Sequence, residues 1–153
     1  MDATTTTAQI SAAMRTAIEA IVPRFEPERS FTWRYEAADR VNGRAVLMGK
    51  TLRAFDLVWT PGIRSFLWYG NGEAYTALVR VATSYRGVPP DLLPHMVHED
   101  GVDLLAVTSQ LPEPVVPGLS HFEQEGIGEY EIDDRANAVV EHVFRVHWAQ
   151  NTD

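Results

Sequence analysis

Cysteine is absent from the chain, which excludes thiolate metal sites, disulfides and a cysteine nucleophile. Basic residues are scarce beside acidic ones: 13 Lys and Arg stand against 21 Asp and Glu, a net charge of −8. A surface that binds nucleic acid by neutralising phosphates needs clustered Lys and Arg, so this balance argues against one, and equally against a polybasic membrane contact. It leaves open a protein that DNA slides past without sticking. No apolar run approaches the roughly 18 residues needed to span a bilayer. The opening "MDATTTTAQI" lacks the basic start and apolar stretch of a signal peptide, so the chain reads as one made and folded in the cytoplasm. Also missing are a Gly-x-Ser-x-Gly elbow and a Gly-rich phosphate loop ending in Lys-Ser/Thr. "GIGEYEIDD" has glycines but not the helix or spacing of a dinucleotide fingerprint.

What is present is enough for one core. The 153 residues match one ordinary domain, here 1–153 with residues 1–6 as a loose tail. Ile10, Met14, Ala17, Ile18 and Ile21 recur at helical spacing, and Thr6 with Gln9 fits a Thr-x-x-Gln capping box; Pro23 closes the helix. Short strands are expected at "FTWRY", "RAVLMG" and "LRAFDLVW", and a long one at "AYTALVRVATSY", with Tyr75, Ala77, Val79, Val81, Thr83 and Tyr85 on one face. After the linker "RGVPPDLLP", a second helix carries Val97, Gly101, Leu104, Leu105, Thr108 and Leu111 on one side and stops before "PEPVVPG". "GEYEIDD" and "NAVVEHVFRVHW" read as two closing strands around a turn at Asp133 to Asn137, with Val140, Phe144, Val146 and Trp148 directed to the core. The order of elements predicts a single α+β domain, a mostly antiparallel or mixed sheet packed against two helices.

The densest candidate chemistry is "HMVHED". His95 and His98 are three residues apart, and Glu99 or Asp100 would complete a metal shell, but the spacing is not that of His-Glu-x-x-His. The plainer reading is a helix start, with Pro94 in the first turn and Glu99, Asp100 and Asp103 favoured there by the helix dipole. His142 and His147 fall on opposite faces of the last strand, so they do not converge on one ion. Ser120 and His121 are neighbours in an expected loop, and a nucleophile needs its base placed in space. Asp133 and Asp134 suit a turn. No catalytic, cofactor-binding or metal-ligating residue is assigned. The segment between Pro61-Gly62 and Asn71-Gly72 is the sharper anomaly. Its Ile63, Phe66, Leu67, Trp68 and Tyr69 form either a strand that buries itself or an exposed patch that anchors a partner protein.

Several of these elements together resemble the tail terminator proteins (tail completion or minor tail proteins) of long-tailed bacteriophages and gene transfer agents. The likeness lies in an opening amphipathic helix, an Arg-x-Phe element (Arg53, Phe55) in "LRAFDLVW", and a Val-rich strand ending in Tyr, "ALVRVATSY". It continues in a helix with an early acid and a Leu face, "MVHEDGVDLLAVTSQL" (Asp100, Leu104, Leu111), and in the closing "VVEHVFRVHW". It runs from about Ile10 to Trp148; Val41 to Lys50 and Pro112 to Pro117 depart from the shorter members. The resemblance implies a structural virion protein rather than an enzyme, without cofactors. Six copies would form a ring that caps the tail tube and meets the head connector, with DNA passing through the lumen without specific binding and no membrane contact. Its location would be the virion tail, assembled in the host cytoplasm, with Ile63, Phe66, Leu67, Trp68 and Tyr69 as candidate contacts to tube or neighbouring subunit. The rival reading is a cone-shaped α+β small-molecule-binding protein or cyclase-like enzyme, with Tyr75, His142 and Trp148 lining an apolar pocket. A metal-dependent hydrolase built on His95, His98 and Glu99 is a third.

Overall fold

A computed structural model describes residues 6–25, 32–37, 39–41, 44–46, 52–60, 64–67 and 72–151. Helix α1 spans Thr7–Glu19, and its start is the expected capping box: Gln9 N donates to Thr6 Oγ1 at 3.2 Å while Thr6 N donates to Gln9 Oε1 at 2.8 Å. Strands β1 (Arg34–Tyr35), β2 (Asp39–Val41), β3 (Arg44–Val46), β4 (Ala54–Trp59), β5 (Arg64–Leu67) and β6 (Gly72–Arg86) follow. Helix α2 runs over Leu93–Thr108, and β7 (Leu119–Ile127) and β8 (Asn137–Asn151) close the fold.

The main sheet is mixed, in the order β1-β4-β6-β8-β7, with β5 also paired to β6 beyond the end of β4. Among the described residues β1 and β4 are parallel and the other pairs antiparallel; β2 and β3 form a separate antiparallel pair. The long strands β6 and β8 pair along their whole lengths, from Gly72↔Asn151 to Arg86↔Asn137, and the turn between Asp133 and Asn137 forms as expected. Single-domain α+β architecture is what this order of elements requires.

Both helices lie on one face of the sheet, here called the inner face. Alternation along the strands puts Phe55 of β4, Val79 and Val81 of β6, and Phe144, Val146 and Trp148 of β8 against Ile10, Met14 and Ile18 of α1 and Leu104 of α2. The three α1 side chains are fully buried, and truncating one to Ala removes about 2–5 kcal/mol. Polar contacts fix α1 as well: Trp59 Nε1 donates to Ser11 Oγ at 2.6 Å, and the Arg15 guanidinium stands 4.0 Å over the Tyr35 ring. A second apolar cluster, around Tyr85, Met96, Val97 and Val140, seats the first half of α2 on the ends of β6 and β8.

Four expectations need correction. "FTWRY" pairs only at Arg34 and Tyr35, although Trp33 before them is buried. The penultimate strand is Leu119–Ile127, not "GEYEIDD", and it includes Ser120 and His121, which the sequence suggested were in a loop. Register shifts between Leu119 and His121 and between Gln124 and Gly126 break its alternation, which is why it reads poorly as a strand. In α2, Asp100 and Asp103 are buried and the first turn carries no acid, so these residues are not dipole-stabilised surface charges. Leu105, expected on the buried side, is 37% exposed.

Candidate functional site

At one end of the inner face, polar side chains from four segments meet inside the apolar packing. Arg53 immediately precedes β4, Tyr85 lies near the end of β6, Asp100 sits in the second turn of α2, and His142 is on β8. None is more than 1% exposed. Arg53 Nε donates to Asp100 Oδ2 at 2.9 Å, and Tyr85 Oη donates to the same oxygen at 2.8 Å. His142 Nε2 lies 3.2 Å from Tyr85 Oη. Because the tyrosine proton is committed to the carboxylate, His142 must carry its proton on Nε2 and donate it to Tyr85. Arg53 Nη2 donates to Phe25 O at 2.7 Å, tying the segment after α1 to the same centre.

Burial governs the protonation of this cluster. It lowers the His142 pKa to about 4, so the imidazole is neutral at neutral pH. It pushes the Tyr85 hydroxyl well above its ordinary value, with Asp100 adding to the effect, and so keeps the phenol protonated. It also raises the Asp100 carboxyl, an effect opposed by Arg53 and Tyr85. Asp100 Oδ1 and His142 Nδ1 are buried and have no hydrogen-bond partner among the described residues. Asp103, one turn further along α2, accepts from Arg24 N at 3.1 Å and Arg24 Nε at 2.6 Å. Two acids on one helix therefore hold the chain that leaves α1.

Backbone geometry serves the same closure. Arg53 has a left-handed φ of 61°, a conformation that costs a non-glycine residue about 1–3 kcal/mol and is held here by the surrounding contacts. Gly101 lets α2 approach β7 and β8: a Cβ at this position would lie 3.3 Å from Gln124 Nε2 and 3.6 Å from His142 Nδ1. Gln124 Nε2 donates to Gly101 O at 3.2 Å, completing the bond between helix and edge strand.

A His-Tyr-Asp-Arg chain has the components of a proton relay, but its carboxylate is already paired with a cation and every member is enclosed. A groove of about 630 Å³ opens nearby, between Pro94, Val97 and His98 of α2 and residues 127–131, and none of the four cluster residues lines it. The arrangement is suited to locking α2 and the α1 exit onto the sheet.

The other sequence candidates are dispersed. Phe66 and Leu67 belong to β5, so the apolar segment is at least partly a strand; Ile63, Trp68 and Tyr69 lie outside the described residues. His95 and His98 are exposed on α2 and belong to no convergent ligand set among the described residues. Tyr75 and Trp148 stack at 5.6 Å, with Trp59 edge-on to Trp148 at 6.0 Å. His142 lies six residues before Trp148 on β8, about 20 Å away at ordinary strand rise, so the three residues proposed for a common pocket do not meet. One set that sequence reasoning missed does converge: His121, Glu123 and His147 offer ligand atoms all within 4.8 Å of one another, on the sheet face away from the helices. Its signal is hidden because the register shift between Leu119 and His121 breaks the strand alternation there. Against the models of known protein families and against curated protein sequences, the chain gives no match.

Proposed function

We propose that this chain is a structural subunit of the tail-terminator type, which closes a phage-like tail tube as a hexameric ring and joins it to the head connector. The observation that carries the reading is the convergence of Arg53, Tyr85 and Asp100. These residues belong to three separated sequence elements of the resemblance, and they form one buried hydrogen-bonded unit. Phe55, Leu104 and Leu111, from the same elements, share the main core. Residues scattered over the chain thus act as one framework, as expected if the resemblance reflects a common architecture.

The sheet edges support assembly. Among the described residues, β7 pairs only with β8, β5 only with β6, and β1 only with β4, which leaves backbone groups at both edges available to a neighbour. Two different edges meeting head to tail make a heterologous contact, the kind that closes into a ring when the rotation between subunits permits. Phe66 and Leu67 lie on such an edge. The net charge of −8 suits a lumen that repels the duplex during passage. The cyclase-like alternative is disfavoured by the packing of Tyr75, Trp59 and Trp148 against one another and by the distance to His142.

Native mass spectrometry across a concentration series, with electron micrographs of the same samples, tests the reading. Hexamers that grow with concentration and image as rings support it. A stable dimer overturns it, as does a chain that stays monomeric both alone and with polymerised tail-tube protein.

A further inference from the structure

We infer that the outer face of β7 and β8 carries a binding site for a divalent transition-metal ion of the zinc class, with His121, Glu123 and His147 as ligands. This site is independent of the ring reading and lies on the opposite side of the sheet from the buried Arg53–Asp100 cluster.

The backbone builds the site. His121 and His147 are directly opposed in the β7–β8 ladder, and Glu123 follows His121 by two residues, so all three side chains leave the same face. The register shift after Leu119 is what aims them. Leu119 faces the core opposite Trp148, Ser120 is the extra residue of the bulge, and His121 is thereby turned outward against His147. Without that extra residue, His121 would share the inward face of Leu119.

The spacing of the donor atoms suits a small ion. The two imidazoles stack with centroids 4.2 Å apart and planes 14° from parallel. Their in-plane lone pairs therefore run side by side, and the half-exposed His121 ring must turn for both Nε2 atoms to meet one ion. Glu123 Oε1 stands 3.1 Å from His121 Nε2 and 3.4 Å from His147 Nε2. A tetrahedral ion with bonds of about 2.0–2.1 Å holds its ligand atoms roughly 3.3–3.4 Å apart, so both nitrogen-to-oxygen separations are already near coordination distance. His147 Nε2 is buried, and among the described residues Glu123 Oε1 at 3.4 Å is too poorly aligned to make a regular hydrogen bond with it, so coordination would satisfy this nitrogen. His121 and Glu123 have side chains about half exposed (49% and 53%), so the site is reached from solvent and its outer ligands have room to adjust.

The surrounding groups favour the metal-bound form of His121. Ser120 Oγ lies 2.9 Å from His121 Nδ1. When Nε2 binds an ion, Nδ1 carries the proton and donates it to this hydroxyl, an orienting contact of the kind that metal-bound histidines ordinarily possess. Two imidazoles and one carboxylate select zinc, nickel or copper over magnesium or calcium, which prefer all-oxygen shells. Three protein ligands leave a fourth position for water or for a group from another molecule.

Calorimetric titration of zinc chloride into the full chain, stripped with a chelator and dialysed, tests the inference. The expected result is one ion per chain, with binding weakened about tenfold or more by His121→Ala and by His147→Ala, and unchanged by the double variant His95→Ala/His98→Ala. Thermal melts without metal check that each variant remains folded; Glu123→Gln, which keeps the side-chain shape, provides a further ligand test and is expected to weaken binding as well. Absence of binding heat overturns the inference. So does binding that survives both His121→Ala and His147→Ala, or that is lost only with His95 and His98.

Discussion

Arg53 combines a left-handed backbone with a guanidinium that is 1% exposed, so its place depends on partners. Removing one member of a buried ion pair leaves the other charge without compensation, at a cost of about 3–5 kcal/mol. Arg53→Met is therefore expected to lose stability of that order in urea denaturation, and Asp100→Leu introduced with it to restore much of the loss. The recovery, read as the coupling term of a double-mutant cycle, distinguishes charge pairing from the general effect of disturbing a core. His142 provides a pH test. Its pKa is 6.5 when unperturbed and about 4 in the fold, so the unfolded chain takes up a proton that the folded chain refuses. The stabilisation is complete above pH 6.5 and is lost as pH falls towards 4, by roughly 3 kcal/mol in total and about 2 kcal/mol by pH 5. His142→Gln should abolish that share of the difference between denaturation curves at pH 7 and pH 5. Asp100 contributes with the opposite sign: its raised pKa gives stability that is present below its ordinary value of 3.8 and lost as pH rises through the folded value. The comparison of variants at the same two pH values separates the two groups.

At the scale of elements, α2 shows how a helix is chosen by one set of forces and oriented by another. Pro94 in its first turn and the buried series Val97, Leu104 and Thr108 follow the pattern of an amphipathic helix. Its rotation about its own axis also obeys Asp100 and Asp103, whose partners Arg53 and Arg24 come from distant segments. This accounts for the exposure of Leu105 where simple periodicity would bury it. Gly101 reports the closeness of the approach. Gly101→Val should cost about 1–3 kcal/mol, because its branched side chain enters the space of Gln124 and His142, and a shift in the denaturation midpoint measures it. The apolar segment that contains β5 yields a prediction about assembly. Replacing Phe66 and Trp68 together by Ser should leave the monomer folded by circular dichroism while preventing it from joining its partners. If the double variant unfolds the monomer, the segment belongs to the core and its role as a contact surface is lost.

For the molecule as a whole, the two faces of the sheet have different chemistry. The inner face is closed by both helices, whereas the outer face carries the ion pairs Arg80–Glu141 and Arg145–Glu125 together with the His121–Glu123–His147 group. Exposed ion pairs of this kind contribute about 0–1 kcal/mol each, so the outer face is not what holds the domain together. Its described residues present charged and ligating side chains. On the ring reading, duplex DNA should pass without being retained, and fluorescence anisotropy with a labelled duplex at physiological salt should register no binding. Saturable, salt-sensitive binding would place the charge distribution at odds with a passive lumen.

The amino-acid pattern by itself determined the elements whose signals are local. The Thr6–Gln9 cap, the buried series of α1, the alternation of β6 and the apolar face of β8 were all legible, because each depends on residues near one another in sequence. The turn at Asp133 to Asn137 was legible for the same reason. Tertiary structure decided the rest. Asp100 and Asp103 look like surface acids until Arg53 and Arg24 are brought to them, and His142 looks like any strand histidine until Tyr85 and Gly101 enclose it. The strand β7 was misplaced because its bulges interrupt a period of two, and the bulge at Ser120 is also what turns His121 towards His147. Hydrophobic burial can be read from spacing along the chain, whereas charge pairing and ligand convergence depend on a register between segments that spacing does not encode.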